Sequence, residues 1–233
     1  MTEHLLDNAP WHALTGPQSY LALGAGEVRR FNPEFAPFGG METISDGNRA
    51  ALAALLPEEG VAVLFTTAPV ELPAGLELVL AGQLSQMLAA NLRASEGGAE
   101  IVALSPADVP AMRELVALTE PGPFAPRTNE LGQYFGIKDG DRLVAMAGER
   151  LHPPGFTEVS AVCTHPDYRG RGYAKALVSR VASVIASRGD VPFLHVYPHN
   201  KPAVATYQQV GFVERRLIEL TVFRRPKGAI PSG

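Results

Sequence analysis

Cysteine is nearly absent from this chain: Cys163 is the single one in 233 residues. A disulfide within the chain needs two, so no disulfide framework exists, and a reducing, cytoplasmic setting is the expectation. Long apolar runs are also lacking. No stretch reaches the roughly 18 uninterrupted apolar residues of a membrane span. The opening Met1-Thr2-Glu3-His4 shows no basic segment followed by an apolar one, so no signal peptide is expected. Neither sign of charge is in large excess. With 20 Lys and Arg against 24 Asp and Glu, the net charge is −4. That balance gives no footprint for nucleic acid or an anionic membrane. No Walker loop is present, and Lys175 stands where a dinucleotide fingerprint built on Gly170-x-Gly172 needs its third glycine. His152, His165 and His199 have no metal-ligand spacing with Cys or carboxylates, so no metal is expected.

What is present is enough apolar matter, 46% of residues, for one large or two small domains. The turn-forming run Ser95-Glu96-Gly97-Gly98 suggests a boundary. The expected division is an N-terminal α/β domain over 1–95, a second domain over 99–225 and a flexible tail over 226–233. In the first part, 61–65 and 76–80 read as strands and 48–56 as a helix stopped by Pro57. Residues 82–93 read as a helix carrying Leu84, Met87, Leu88 and Leu92 on one face. The aromatic and proline-rich stretch 31–38 reads as a packed loop, or as a pocket lined by Phe31, Phe35 and Phe38.

The second part is clearer. Strand 100–104 leads to a helix over 106–118 whose start combines Ser105, Pro106 and Asp108. Val109, Met112, Val116 and Ala117 are expected to face inward. Residues 134–138 and 143–151 form strands joined by a hairpin at Asp139-Gly140-Asp141, and 156–164 forms another. A helix over 173–188 buries Leu177, Val178, Val181 and Ile185 and stops at Gly189. A strand over 191–197, a helix from Pro202 to Val210 ended by Gly211, and one or two strands over 212–223 complete an α/β order.

The densest signal is Thr164-His165-Pro166-Asp167-Tyr168-Arg169-Gly170-Arg171-Gly172-Tyr173-Ala174, a strand, a glycine-punctuated loop and a helix start. Such a junction aims backbone N–H groups and the positive end of a helix dipole at one place, which suits a pyrophosphate. Arg169-x-x-Gly172-x-Ala174 resembles the R/Q-x-x-G-x-G/A signature of the GNAT superfamily of N-acetyltransferases. The run from Leu194 through Asn200 and Tyr207 to Gly211-Phe212 resembles that family's second marker, and the two stand in the family's order. The resemblance covers about 100–223. The wording His165-Pro166-x-Tyr168-Arg169-Gly170 and Pro192-Phe193-Leu194-His195-Val196 is most similar to the branch with glycine N-acyltransferase-like proteins.

The resemblance implies a mixed, mainly antiparallel sheet flanked by helices, with a degenerate half-GNAT or interface role as one reading of the N-terminal domain. It implies acetyl-CoA as acyl donor, held by Arg169, Gly170, Arg171, Gly172, Tyr173 and Ala174 around the pyrophosphate. Main-chain groups of Val162, Cys163 and Thr164 would hold the pantetheine arm as if it were an added strand. Asn200 matches a cofactor-contacting asparagine and equally suits a plain helix cap. The implied reaction is direct attack of a primary amine on the thioester in a ternary complex. Tyr207, two helical turns after Asn200, matches the family's catalytic tyrosine, an acid for the leaving thiolate. The base is open between Glu158, His195, Glu149 and a chain of waters. Strict alternation places Glu158 with Ser160, Val162 and Thr164, and turns Cys163 to the opposite face. Cys163 has no activating neighbour beyond His165 and reads as a small buried side chain.

The acceptor is expected to be a small-molecule or peptide amine. Its pocket would lie along 120–130, with Phe124, Arg127 and Asn129 as candidate contacts and the N-terminal domain covering one side. Arg127 suits either an acceptor carboxylate or a surface ion pair. The expected protein is a monomer or homodimer, an acyl-CoA-dependent N-acyltransferase. The alternative is a CoA-binding regulatory protein without catalysis; a nucleotide site for another phosphate ligand is a third reading.

Overall fold

The computed structural model describes residues 4–93 and 99–226. Among these residues five α-helices form: α1 (Ala9–Leu14), α2 (Asp46–Ala54), α3 (Val109–Thr119), α4 (Tyr173–Ser187) and α5 (Lys201–Val210). The eleven strands are β1 (Ala22–Leu23), β2 (Val28–Phe31), β3 (Gly39–Met41), β4 (Ala62–Thr66), β5 (Glu77–Ala89), β6 (Val102–Ala103), β7 (Tyr134–Asp139), β8 (Arg142–Glu149), β9 (Phe156–Thr164), β10 (Val191–Val196) and β11 (Phe212–Arg224). The chain divides into two compact units. The first holds the chain up to Leu84, His152–Pro154 and the chain from Leu217 onward; the second holds Ser85–Leu151 and Gly155–Arg216. The expected boundary at residues 95–98 and nearly all of the expected tail lie outside the described residues.

In the first unit, β1, β2 and β3 form a three-stranded antiparallel sheet. β4 pairs antiparallel with the far end of β11, Thr66 opposite Glu219 and Ala62 opposite Phe223. Helix α2 starts where the Ser45 hydroxyl accepts the Asn48 N–H at 3.1 Å. Leu52, Leu56, Val28, Met41, Leu64 and Phe223 make the core here. Phe31, Phe35 and Phe38 are all buried, and Phe38 lies 5.1 Å from the Phe65 ring, so the aromatic stretch is packing.

In the second unit the strand order is β11-β5-β10-β9-β8-β7-β6. β9 and β10 are parallel; the pairs β5–β10, β8–β9, β7–β8 and β6–β7 are antiparallel. The mixed, mainly antiparallel sheet flanked by helices is therefore as expected. Helix α4 covers one face, placing Leu177, Val178, Val181 and Ile185 at 0% exposure. Each such burial is worth roughly 1.5–3 kcal/mol. Helix α3 covers the other face with Met112 and Leu115, against Tyr134, Leu143, Met146, Ala161 and Cys163. Leu115 takes the inward place expected of Ala117, which is exposed.

Two expectations fail. The helix over 82–93 does not form; β5 runs through it, with Met87 opposite Leu194 and Leu88 opposite Phe193. Residues 84–87 are buried on both sides of a central strand, Ser85 at 1% and Gln86 at 0%. An inner strand of that kind carries apolar side chains without alternation, and their spacing mimics a helical stripe. The other failure is in β9. Ala161 adopts φ +51, and the β8 register slips between Met146 opposite Cys163 and Gly148 opposite Ser160. This bulge reverses the phase of the strand. Val159 and Val162 pack on the α4 side, whereas Ala161 and Cys163 pack on the α3 side. Cys163 thus shares the face of Glu158 instead of opposing it, and Val162 leaves that face.

Candidate active site

The loop after β9 begins with a 3-10 turn, Pro166–Tyr168, and ends at Gly172, the residue before α4. Gly170 and Gly172 both sit at φ +78, a left-handed conformation that glycine adopts without strain. A Cβ at either would meet nothing within 4 Å, so the backbone faces open space. Gly172 supplies no side-chain cap, and the first turn of α4 holds no acidic residue. The first N–H groups of a 15-residue helix are thus left to an outside acceptor. Arg169 and Arg171 are exposed beside them.

Strands β9 and β10 pair only as far as Phe193 opposite Glu158. Beyond that point β10 continues against β5, from Phe193 opposite Leu88 to Val196 opposite Ser85. β9 continues against β8 alone, to Thr164 opposite Ala145. The two strands therefore splay, and the bulge at Ala161 lies on the open stretch. Val162, Cys163 and Thr164 line it. The Thr164 Oγ1 is buried without a hydrogen-bond partner.

At the closed end of the splay, Glu158 and His195 meet. The Glu158 carboxylate is fully buried. Arg150 donates to it twice, Nε to Oε2 at 2.8 Å and Nη2 to Oε1 at 2.7 Å. His195 Nδ1 lies 2.8 Å from Oε1. A carboxylate can only accept here, so the imidazole donates its Nδ1–H. Its Nε2 lies 3.0 Å from the Gln86 amide nitrogen, and the Gln86 oxygen accepts from Arg215 Nη1 at 2.7 Å. Arg215 thereby fixes the amide's orientation, and His195 Nε2 is the acceptor. Burial pushes the Glu158 carboxyl up, but the charge and hydrogen bonds of Arg150, with the His195 bond, outweigh it and hold the group well below the usual carboxylate range.

Tyr207 stands on α5, 9% exposed, edge-on to Phe212 at 6.4 Å. Burial first, and Cys163 second, push its phenol up to about 12. Burial likewise pushes the Cys163 thiol up to about 11, the opposite of an activated nucleophile. Asn200 caps α5, its Oδ1 accepting the Ala203 N–H at 3.3 Å. Glu149 is apart from Glu158 in its partner: Arg188 Nη2 donates to its Oε1 at 2.9 Å. In the 120–130 loop, Arg127 reaches Glu130 with Nε at 2.9 Å and Nη2 at 2.7 Å. Phe124 lies edge-on to Tyr134 at 6.0 Å, and Asn129 is half-buried beside them in sequence.

Sequence reasoning missed Arg150, Gln86 and Arg215. Gln86 was hidden by the expected helix, and Arg150 follows its strand with no motif around it. Among the described residues no cluster of three His, Cys, Asp or Glu is placed to hold a metal. None of the described helices is long and apolar enough to cross a membrane.

The family model of FR47-like proteins matches residues 134–221. The crystal structure of a GNAT-family protein from Novosphingobium aromaticivorans, assigned as an acetyltransferase, superposes with a TM-score of 0.89 at 39% identity, over 97% of this chain and 100% of that one. The N-alpha-acetyltransferase RimI of Mycobacterium tuberculosis is 36% identical over 123 residues, 48% of this chain and 77% of RimI. An uncharacterized protein of Mycobacterium leprae is 36% identical over 120 residues, 47% of this chain but only 33% of its own length. The agreement of fold, splayed strands and near full-length relative places this chain in the GNAT superfamily of acetyltransferases.

Proposed function

We propose that the chain transfers acetyl from acetyl-CoA to a primary amine by direct attack in a ternary complex. The observation that carries this reading is the open, uncapped start of α4 beside the splay of β9 and β10. Residues 169–174 would take the pyrophosphate, with Gly170 and Gly172 allowing close approach. Main-chain groups of Val162, Cys163 and Thr164 would pair with the pantetheine amides as an added strand. Asn200 would contact the cofactor from the α5 cap.

The amine nitrogen attacks the thioester carbonyl, the tetrahedral intermediate collapses, and the C–S bond breaks to release the CoA thiolate. Tyr207, with its phenol near 12, is a weaker acid than a thiol, so it stabilises the thiolate by a hydrogen bond more readily than by full proton transfer. The thiolate then takes its proton from solvent. Glu158 is a poor base, because both oxygens are engaged and Arg150 lowers the carboxylate's affinity for a proton. We infer that it orients His195, and that His195 Nε2, the ring's acceptor nitrogen, takes the amine proton through water. His195→Gln should then lower kcat at saturating amine by about 100-fold or more, with CoA affinity in calorimetry unchanged. A kcat equal to wild type removes His195 from this role.

The likeness to RimI supports the α-amine of a peptide as acceptor, and the wording of 165–170 and 192–196 supports a place near glycine N-acyltransferase-like proteins. Phe124, Arg127 and Asn129 remain the acceptor contacts we favour. A single, buried cysteine supports a cytoplasmic setting. Calorimetry with acetyl-CoA, followed by thiol release with small amines, glycine and peptide N-termini, tests the reading. Absence of CoA binding at high micromolar ligand defeats it. The fully engaged Glu158 is the observation favouring a CoA-binding regulator; binding without turnover, unchanged by Tyr207→Phe, would establish that instead.

A further inference from the structure

We propose that the β7–β8 hairpin is the platform that aims Arg171 at the cofactor's phosphates, acting through Tyr168; this rests on the acetyl-CoA reading above. The Arg171 guanidinium lies over the Tyr168 ring, its carbon 4.7 Å from the centroid. A guanidinium held by a carboxylate spends its N–H groups and its charge on that partner. One held by an aromatic face is fixed in orientation while its N–H edge stays available to an anion. Tyr168 is itself pinned from the hairpin: its hydroxyl donates to Asp139 Oδ2 at 2.6 Å. The hairpin's carboxylate is therefore spent on the tyrosine and leaves the arginine's charge unneutralised. That bond also enriches the ring in electron density and strengthens its attraction for the cation. The other end of the hairpin fixes the start of the loop. Arg142 Nη2 donates to His165 Nε2 at 2.6 Å, and the His165 ring stands edge-on to Tyr168 at 5.7 Å and 84°. Asp139 closes β7 and Arg142 opens β8, so one tight turn anchors both contacts.

Tyr168, Asp139 and Arg142 are positioning residues in this account; none touches the reacting atoms. The test is calorimetric affinity for CoA together with steady-state kinetics for wild type, Tyr168→Leu, Tyr168→Phe, Asp139→Asn, Arg171→Ala and the double variant Tyr168→Leu/Arg171→Ala. Tyr168→Leu should weaken CoA about 3- to 30-fold, the range of a cation–π contact, with the loss appearing in KM for acetyl-CoA and not in kcat. Tyr168→Phe and Asp139→Asn keep the ring and should each weaken binding by a smaller factor, about 2- to 5-fold. Asp139 is exposed, so its variant reports even if Tyr168→Leu folds poorly. The double variant should bind no worse than Arg171→Ala alone, because the ring acts only through the arginine. Multiplying losses, or a fall in kcat with unchanged affinity, overturns the inference while leaving the CoA reading intact. Wild type that binds no CoA overturns both.

Discussion

Arg150→Met is the perturbation with the largest consequence. The Glu158 side chain is 1% exposed and Arg150 10%, and two hydrogen bonds of 2.7 and 2.8 Å join them. Methionine keeps most of the packing volume and removes the charge. The carboxylate is then left buried with the His195 Nδ1–H as its remaining side-chain partner. Breaking a buried pair in this way costs about 3–5 kcal/mol. For a chain of this size, about 2–4 °C of Tm accompanies each kcal/mol, so a fall of roughly 6–20 °C at pH 7 is expected. The pH dependence gives an independent check. In the wild type the Glu158 carboxyl is held below its unfolded value of about 4.3, so its contribution is present above that pH and is lost as the pH falls toward the folded value. In the variant, burial without the guanidinium acts in the opposite direction and favours the protonated acid. The gap in Tm between the two proteins should therefore narrow from pH 7 to pH 4. Differential scanning calorimetry at both values is the assay. A shift under about 2 °C at pH 7, or a gap that stays constant to pH 4, would refute the claim that the pair is a buried, ionised strut.

Tyr207→Phe should lower kcat by about 100-fold with little change in KM for acetyl-CoA, measured by thiol release. Because its phenol is pushed up to about 12, the wild-type rate should show no alkaline limb from this residue below about pH 11. Gly172→Val places a branched side chain at φ +78, so it should cost about 1–2 kcal/mol of stability and weaken CoA severalfold in calorimetry. Arg127→Ala removes an exposed pair with Glu130 and should change stability by less than about 1 kcal/mol. A tenfold rise in KM for the amine at unchanged stability would mark Arg127 as an acceptor contact.

The second unit was readable because its turns carry strong local chemistry. Gly140 marks the hairpin, Gly211 the end of α5, and the glycines at 170 and 172 the junction into α4. Gly211 is doubly constrained, at φ +109 and against the Asn91 carbonyl. The site was half-readable. Arg169, Gly172, Asn200 and Tyr207 stand out in one dimension. The partners of Glu158 do not, since Arg150 lies 8 and His195 37 positions from it, while Gln86 lies 109 positions from the His195 it meets; only the fold brings them together. The bulge at Ala161 has no sequence mark, because alanine is an unusual residue for a left-handed position. Alternation arguments along β9 broke there for that reason. The failed helix over 82–93 reflects a related limit: periodicity reports burial, and a strand buried on both faces can copy a helical stripe.

Strands β5 and β11 each pass from one compact unit into the other. This bears on how the protein can be dissected or inherited. A fragment beginning at Ala99 would lack residues 85–89 and with them the antiparallel neighbour of β10. A fragment ending before Phe212 would strip β4 of its partner. Neither unit can be cut out at a single point without removing a strand from the other. Insertion, deletion or exchange of one half by recombination would therefore be disfavoured.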